Sequence, residues 1–264
     1  MTDHGSCAWR DSQKGLFGGL LLFGAVLCGT AQAQETISVV ATPLPEPFEL
    51  PDDFTWAGGL ALSSSDERLG GVSGLGVGLV PSASGEGIRM LAVTDAGTLL
   101  RGDLLFQTDP ELKLTGVHKN ELTAERLRDA KTGRRTRQAE SLAIWEQRLA
   151  FGFEVDHRVG VMRAGSEISD LPIPTALRGL AEKNAGVEAL ATLPNGNLIA
   201  ISEGVRREGG LRAWIYEGDP DDWPILVYEW DEVFAPTGAD TTPDGRFLVV
   251  SERKFVSMRE PLSN

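Results

Sequence analysis

Short apolar runs separated by polar turns organise most of this chain. The clearest case is Asn184 to Glu203, where Val187 to Leu193 and Leu198 to Ser202 flank Pro194-Asn195-Gly196-Asn197. Asn-Gly between two such runs is the strongest short-range hairpin signal, so the stretch predicts two antiparallel strands. Glu188 begins the first strand and Glu203 ends the second. An antiparallel pair brings both carboxylates to one rim.

The unit recurs. Superposing the turn glycines Gly196 and Gly245, 49 residues apart, aligns Val187 to Glu203 with Pro236 to Glu252 and puts Thr237 where Glu188 was. Upstream by 48 residues, Ala139-Glu140-Ser141-Leu142-Ala143 matches the incoming strand, and Leu149 to Glu154 matches the outgoing one. Earlier still, Val72-Ser73-Gly74-Leu75 leads, after a longer insertion, into Met90 to Asp95. Short strands and Gly-rich turns repeating at about this length predict an all-β fold, a β-propeller with repeats of about 48 residues. Its rim would carry Ser73 and Asp95, Glu140 and Glu154, Glu188 and Glu203, and Thr237 and Glu252.

The chain divides into three parts. Residues 1–33 read as a secretory signal peptide: Lys14 precedes an apolar run from Gly15 to Leu27, and Ala31-Gln32-Ala33 has the small-x-small form of a cleavage site. Asp3 and Asp11 offset Arg10 and Lys14, which leaves an uncleaved anchor as the alternative. Residues 34–53 form a Pro-rich lead-in, an edge strand starting at Ile37 to Val40 followed by an extended tether, with Pro43, Pro45, Pro47 and Pro51 against a longer strand. Residues 54–264 form the repeat domain, its first blade beginning with Phe54 to Asp66. Both cysteines, Cys7 and Cys28, fall in the leader, so the mature chain would have no disulfide. These features place the protein in the periplasm or outside the cell.

Charge narrows the partners. The net charge is −13, which argues against nucleic acid and against stable association with an anionic membrane. It suits a protein that gathers cations, although an acidic surface also simply aids solubility. Within Gln107 to Gln138, an insertion between repeats, Asn120 to Asp129 has a weak helical period. Lys131, Arg134, Arg135 and Arg137 follow as a basic cluster. With His157 they form a candidate cationic lip for an anionic substrate, the alternative being a solvated loop. His118 and His157 lack any zinc-binding spacing. The glycines from Gly70 to Gly78 are followed by no phosphate-loop lysine, and Leu75 breaks the Gly-x-Ser-x-Gly pattern at Ser73. Trp145, Trp214, Trp223 and Trp230 fit packing better than chemistry.

Carboxylates gathered at the end of a propeller repel one another unless they share a cation or keep protons. Asp95, Glu140, Glu154, Glu188 and Glu203 are therefore candidate ligands for a hard divalent metal such as calcium. Hydrogen bonding at strand ends, or pairing with Arg158, Arg206 and Arg253, is the structural alternative.

Several motifs in order carry a resemblance. Gly-Gly-Val-Ser-Gly-Leu (70–75) with Leu-Ala-Val-Thr-Asp (91–95), Glu-Ser-Leu-Ala (140–143) with Phe-Gly-Phe-Glu-Val-Asp-His-Arg-Val (151–159), Asn-Ala-Gly-Val-Glu-Ala-Leu-Ala (184–191) and Asp-Gly-Arg-Phe-Leu-Val-Val-Ser-Glu-Arg (244–253) resemble the phytase-like domain family, exported bacterial proteins described as having esterase-like activity of phytase. The resemblance covers Phe54 to Phe255. It implies a β-propeller and hydrolysis of phosphoric or carboxylic esters. For such an enzyme the rim residues suggest Glu140 and Glu188 as catalytic carboxylates, Arg158 or Arg253 positioning the anionic group, and a small anionic ester as substrate. A non-catalytic binding propeller and a lactonase-like hydrolase are the competing readings. The chain departs from the family at Gln138, where similar proteins have Asp. It departs again after Phe255, where the family pattern runs on, so the propeller is expected to be incomplete at its C-terminus.

Overall fold

The computed structural model describes residues 35–46, 55–82, 85–104, 106–108, 114–117, 121–155, 157–163, 165–173, 186–207, 209–219, 222–230 and 233–254. The leader and His118 lie outside them. Apart from a 3-10 turn at Glu67–Leu69, the regular structure among these residues is all β.

The first sheet takes its strands from β1 (Glu35–Ser38), β4 (Val72–Ser82), β5 (Gly85–Thr94), β6 (Thr98–Leu104) and β9 (Glu121–Arg126), in the order β1-β9-β6-β5-β4. Two small ribbons accompany it: β2 (Val40–Pro43) with β3 (Leu60–Ser63), and β7 (Phe106–Thr108) with β8 (Leu114–Val117). The second sheet is a meander of β10 (Ala139–Trp145), β11 (Arg148–Phe153), β12 (Arg158–Met162) and β13 (Ser169–Leu171). The third is a meander of β14 (Val187–Thr192), β15 (Leu198–Arg207), β16 (Gly210–Tyr216) and β17 (Ile225–Glu229). The fourth pairs β18 (Phe234–Thr241) with β19 (Leu248–Lys254).

Each sheet packs its face on the next. Leu91, Val93 and Leu99 of the first meet Leu142, Phe151 and Phe153 of the second. Ala143, Trp145 and Val159 of the second meet Leu190, Leu198 and Trp214 of the third. Ala189, Ile199 and Ile201 of the third carry Leu248 and Val250 of the fourth. The first strands β4, β10, β14 and β18 thereby run side by side, and hydroxyls join them. Ser73 donates to the Ala139 carbonyl, Ser141 to that of Val187 at 2.6 Å, Thr192 to that of Ile144 at 2.7 Å, and Thr241 to that of Thr192 at 2.8 Å. A cavity of ≈ 290 Å³ lies among them, lined by Ser73, Ser141, Leu142, Leu190, Thr237 and Ser251.

Two local expectations are corrected. Residues 121–126 form a strand, not a helical turn, because Leu122 and Ala124 are buried on one face while β9 pairs with both β6 and β1; tertiary pairing outweighs a weak local period. The insertion between the first two repeats therefore contributes β9 to the first sheet, while β8 pairs with β7 apart from it. The lead-in supplies an edge strand, as expected at its start: β1 closes that sheet's outer edge. The Phe54 to Asp66 stretch contributes β3, which pairs with β2 outside the sheet.

Candidate functional site

A β-bulge stands at the same place in every first strand. The register shifts between Val72 and Gly74, Ala139 and Ser141, Val187 and Ala189, and Pro236 and Gly238. The extra residues are Ser73, Glu140, Glu188 and Thr237. A bulge takes one residue out of the strand's alternation and re-aims its side chain, which is how Glu140 and Glu188 leave the inter-sheet core for the rim. The outgoing strands end beside them through one repeated bond: Asp95 N–H donates to Gly71 O at 2.9 Å, Glu154 N–H to Gln138 O at 3.0 Å, and Glu203 N–H to Gly186 O at 3.2 Å. In the third sheet, buried Ser202 also donates to Arg212 O at 3.1 Å and accepts from Val205 N–H at 3.2 Å. These bonds satisfy the backbone where β15 bends, at the position of Glu203.

Five carboxylates then share one field. Glu188 is only 8% exposed. Burial, followed by the charges of Glu203, Glu140 and Glu154, pushes its carboxyl up to about 8. Glu140 rises to about 7 through burial and then the charges of Glu154, Asp95 and Glu203. Burial raises Glu203 as well, with Arg253 opposing and Glu154 adding to it. Glu140 loses its proton below Glu188, so its charge is one that Glu188 meets.

The fourth sheet breaks the pattern by one residue. In the third sheet the turn closes with Leu193 N–H on Asn197 O, whereas in the fourth Thr242 N–H bonds Phe247 O, one residue further along. The ladder slips accordingly: Val187 faces Ser202, but Pro236 faces Glu252 rather than Ser251. Arg253 then follows the paired residue, in the place that Glu203, Glu154 and Asp95 hold in the other sheets. Its positive charge lowers the carboxyls of Glu140, Glu188 and Glu203. Glu252, expected at the rim, instead accepts the Tyr228 hydroxyl at 2.7 Å.

Beside the carboxylates lies a basic groove. The segment after β9 is a tied hairpin with a bridge between Arg128 and Arg135. It is fastened to the first sheet by Leu127 N–H on Gly97 O (3.0 Å), and to the second by Ile168 N–H on Arg128 O (2.8 Å). Asp129 braces its tip through Thr132. Lys131, Arg134, Arg135, Arg137, His157 and Arg158 line a groove of ≈ 920 Å³ together with Gln138. Gln138 joins it to the acids: its N–H donates to Asp95 O at 2.6 Å and its amide reaches Glu154 at 3.5 Å.

The expected residues thus fall into two groups. Asp95, Glu140, Glu154, Glu188 and Glu203 interact with one another, with Arg253 against them. Arg134, Arg135, Arg137 and His157 line the groove. Arg158 lies in the groove rather than among the acids, its guanidinium 4.1 Å from the Phe153 ring centroid and paired with Asp170 at 2.5 Å and Asp129 at 3.6 Å. Sequence reasoning passed over Arg126 and Thr98, which border a neighbouring cavity with Arg135 and Arg137. The donor chemistry fits a hard divalent cation, since all five acids offer oxygen and burial together with their mutual repulsion holds protons on two of them near neutrality. Among the described residues, no three His, Cys, Asp or Glu side chains form a ready ligand set.

A family model described as "Phytase-like: Esterase-like activity of phytase" matches residues 67–261. No curated protein matches the chain. No helix among the described residues is long and apolar enough to cross a membrane.

Proposed function

Because the chain belongs to the phytase-like family, we propose that it is an exported β-propeller that hydrolyses small anionic esters, phosphoric or carboxylic, with the help of a divalent cation such as calcium. The observation that carries this reading is the meeting, at Gln138, of two opposite fields: the acids around the bulge residues Glu140 and Glu188, and the groove of Arg134, Arg135 and Arg137. The side-by-side first strands and their shared cavity support blades set around an axis.

Glu140, Glu188, Glu203, Glu154 and Asp95 would hold the cation, which when bound supplies Lewis acidity and lowers the pKa of water. The remaining chemistry belongs to the chain. Glu188 and Glu140 hold protons close to neutral pH while the cation is absent and give them up as its ligands, so that whichever of the two the cation does not engage can take a proton at the ester. Arg134, Arg135, Arg137 and His157 orient the anionic part of the substrate from the groove. Arg253 faces the acids from the fourth sheet, where it neutralises charge that builds on the reacting group. Arg158 holds the groove wall, since its charge is committed to Asp170 and Asp129.

The test is a calcium titration of the purified chain, following Tm together with hydrolysis of 4-nitrophenyl phosphate and 4-nitrophenyl acetate. A calcium-dependent rise in Tm with activity on one ester, both lost in Glu188→Gln, is the expected result. Folded protein that shows neither response would overturn the hydrolase reading in favour of a binding propeller.

A further inference from the structure

We propose that Gln138 is a positioning residue: its β-carbon bars the Glu154 carboxylate from folding back on the chain and so holds it forward, among Glu140, Glu188 and Glu203. The effect on cation binding rests on the reading given above; the geometry does not. Gly71 and Gln138 hold equivalent places, each two residues before its bulge residue, Ser73 or Glu140. Each carbonyl accepts the N–H at the end of the outgoing strand, from Asp95 at 2.9 Å for Gly71 and from Glu154 at 3.0 Å for Gln138. Both residues are left-handed, with φ of 66° and 58°.

The first sheet shows the arrangement without a side chain. A Cβ built at Gly71 would lie 2.3 Å from Asp95 Oδ1 and 2.7 Å from its Cγ, so the carboxylate occupies that space. In the second sheet Gln138 carries a Cβ there, and the Glu154 carboxylate must turn elsewhere. The Gln138 amide meets it at 3.5 Å, its one side-chain hydrogen bond among the described residues. The backbone of Glu154 has no such choice: His157 N–H bonds its carbonyl at 3.0 Å, and a Cβ at Gly186 would come within 2.4 Å of its Cα. Left-handed backbone is disfavoured for a residue with a β-carbon. Glycine serves in the first sheet, so the strain kept at Gln138 points to a use for its side chain. The field around the acids shows that use. The Glu154 charge raises the carboxyls of Glu140, Glu188 and Glu203 alike, whereas Asp95, turned back on Gly71, raises Glu140 alone among them.

The test needs no turnover. Crystal structures of the cation-free wild type, Gln138→Gly and Gln138→Ala read the place of the Glu154 carboxylate directly, and calcium calorimetry on the same three proteins reads the consequence. In Gln138→Gly the carboxylate should lie against residue 138 as that of Asp95 lies against Gly71. Calcium should then bind about tenfold more weakly, with Tm unchanged or higher because the strained residue is gone. Gln138→Ala keeps the β-carbon and loses the amide, so Glu154 should stay forward and the affinity should stay within about twofold of wild type. A Glu154 carboxylate in its wild-type place in Gln138→Gly, or displaced equally in both variants, would overturn the proposal. Should the wild type bind no calcium, the cation reading falls, and the three structures still sustain or overturn the role of Gln138.

Discussion

Arg253 stands in the fourth sheet where Glu203 stands in the third, because the Thr242 to Phe247 turn is one residue longer than its counterpart and slips the ladder. Three sheets thus present carboxylates and the fourth presents a guanidinium. Its charge opposes the upward shifts of Glu140, Glu188 and Glu203. Replacing Arg253 with Gln should push these carboxyls higher still. In the proposed hydrolase, the acid limb of the pH profile for kcat/KM should move to higher pH by a few tenths of a unit or more, and kcat should fall roughly tenfold if the guanidinium meets the reacting group. An unchanged profile would place Arg253 outside the acids' field.

A second prediction concerns stability in cation-free buffer. The folded-state carboxyl of Glu188 lies at about 8 and that of Glu140 at about 7, both above the ordinary value of 4.5. The folded protein therefore binds more protons than the unfolded chain between those limits, and stability falls as pH rises through the window. For buried Glu188 alone the loss is on the order of 4 kcal/mol. Tm should drop by roughly 10 °C between pH 5 and pH 8.5. Glu188→Gln, neutral at every pH, should flatten the curve and raise Tm at the alkaline end. A Tm that climbs over that range would contradict the shared field.

The same protons make cation binding pH-dependent. A divalent ion held by Glu140 and Glu188 must displace what they carry, so binding near pH 7 should release between one and two protons and tighten as pH rises. Calorimetry in buffers of different ionisation enthalpy counts them. Gln138→Asp should strengthen the binding by adding a carboxylate beside Glu154, which the Gln138 amide now reaches. Proton-neutral binding would move the cation away from these two acids.

Much of this arrangement is legible in the sequence. The 48- and 49-residue spacings set Glu140, Glu188 and Thr237 in register, the Val72 to Leu75 match adds Ser73, and all four prove to be bulge residues. Strand-end geometry likewise groups Asp95, Glu154 and Glu203. The exchange of Glu252 for Arg253 is not legible, because aligning Gly196 with Gly245 carries no information on which residue closes the turn. Arg158 directly follows His157 in sequence, yet the Phe153 ring and two aspartates hold it away from the acids. Arg126 lies outside the basic run, and only the pairing of β9 with β6 brings it beside Thr98.

The junction between the second and third sheets offers a structural test that does not involve the acids. Gly152 lies where Ser141 donates across the junction to Val187 O, and a Cβ built there would meet both the Ser141 hydroxyl and the Val187 carbonyl at 2.3 Å. Neither neighbour can yield cheaply, since one is backbone and the other spans the sheets. Gly152→Ala should therefore cost about 2–3 kcal/mol by overpacking and by loss of the bond. Ser141→Ala, which removes the hydroxyl and leaves the carbonyl buried, should cost about 1 kcal/mol. The two share a partner, so the double variant should cost less than their sum, because alanine at 141 frees space for the new methyl. Urea denaturation of the three variants checks this. Strict additivity would show that Gly152 is required for a contact other than the one Ser141 makes.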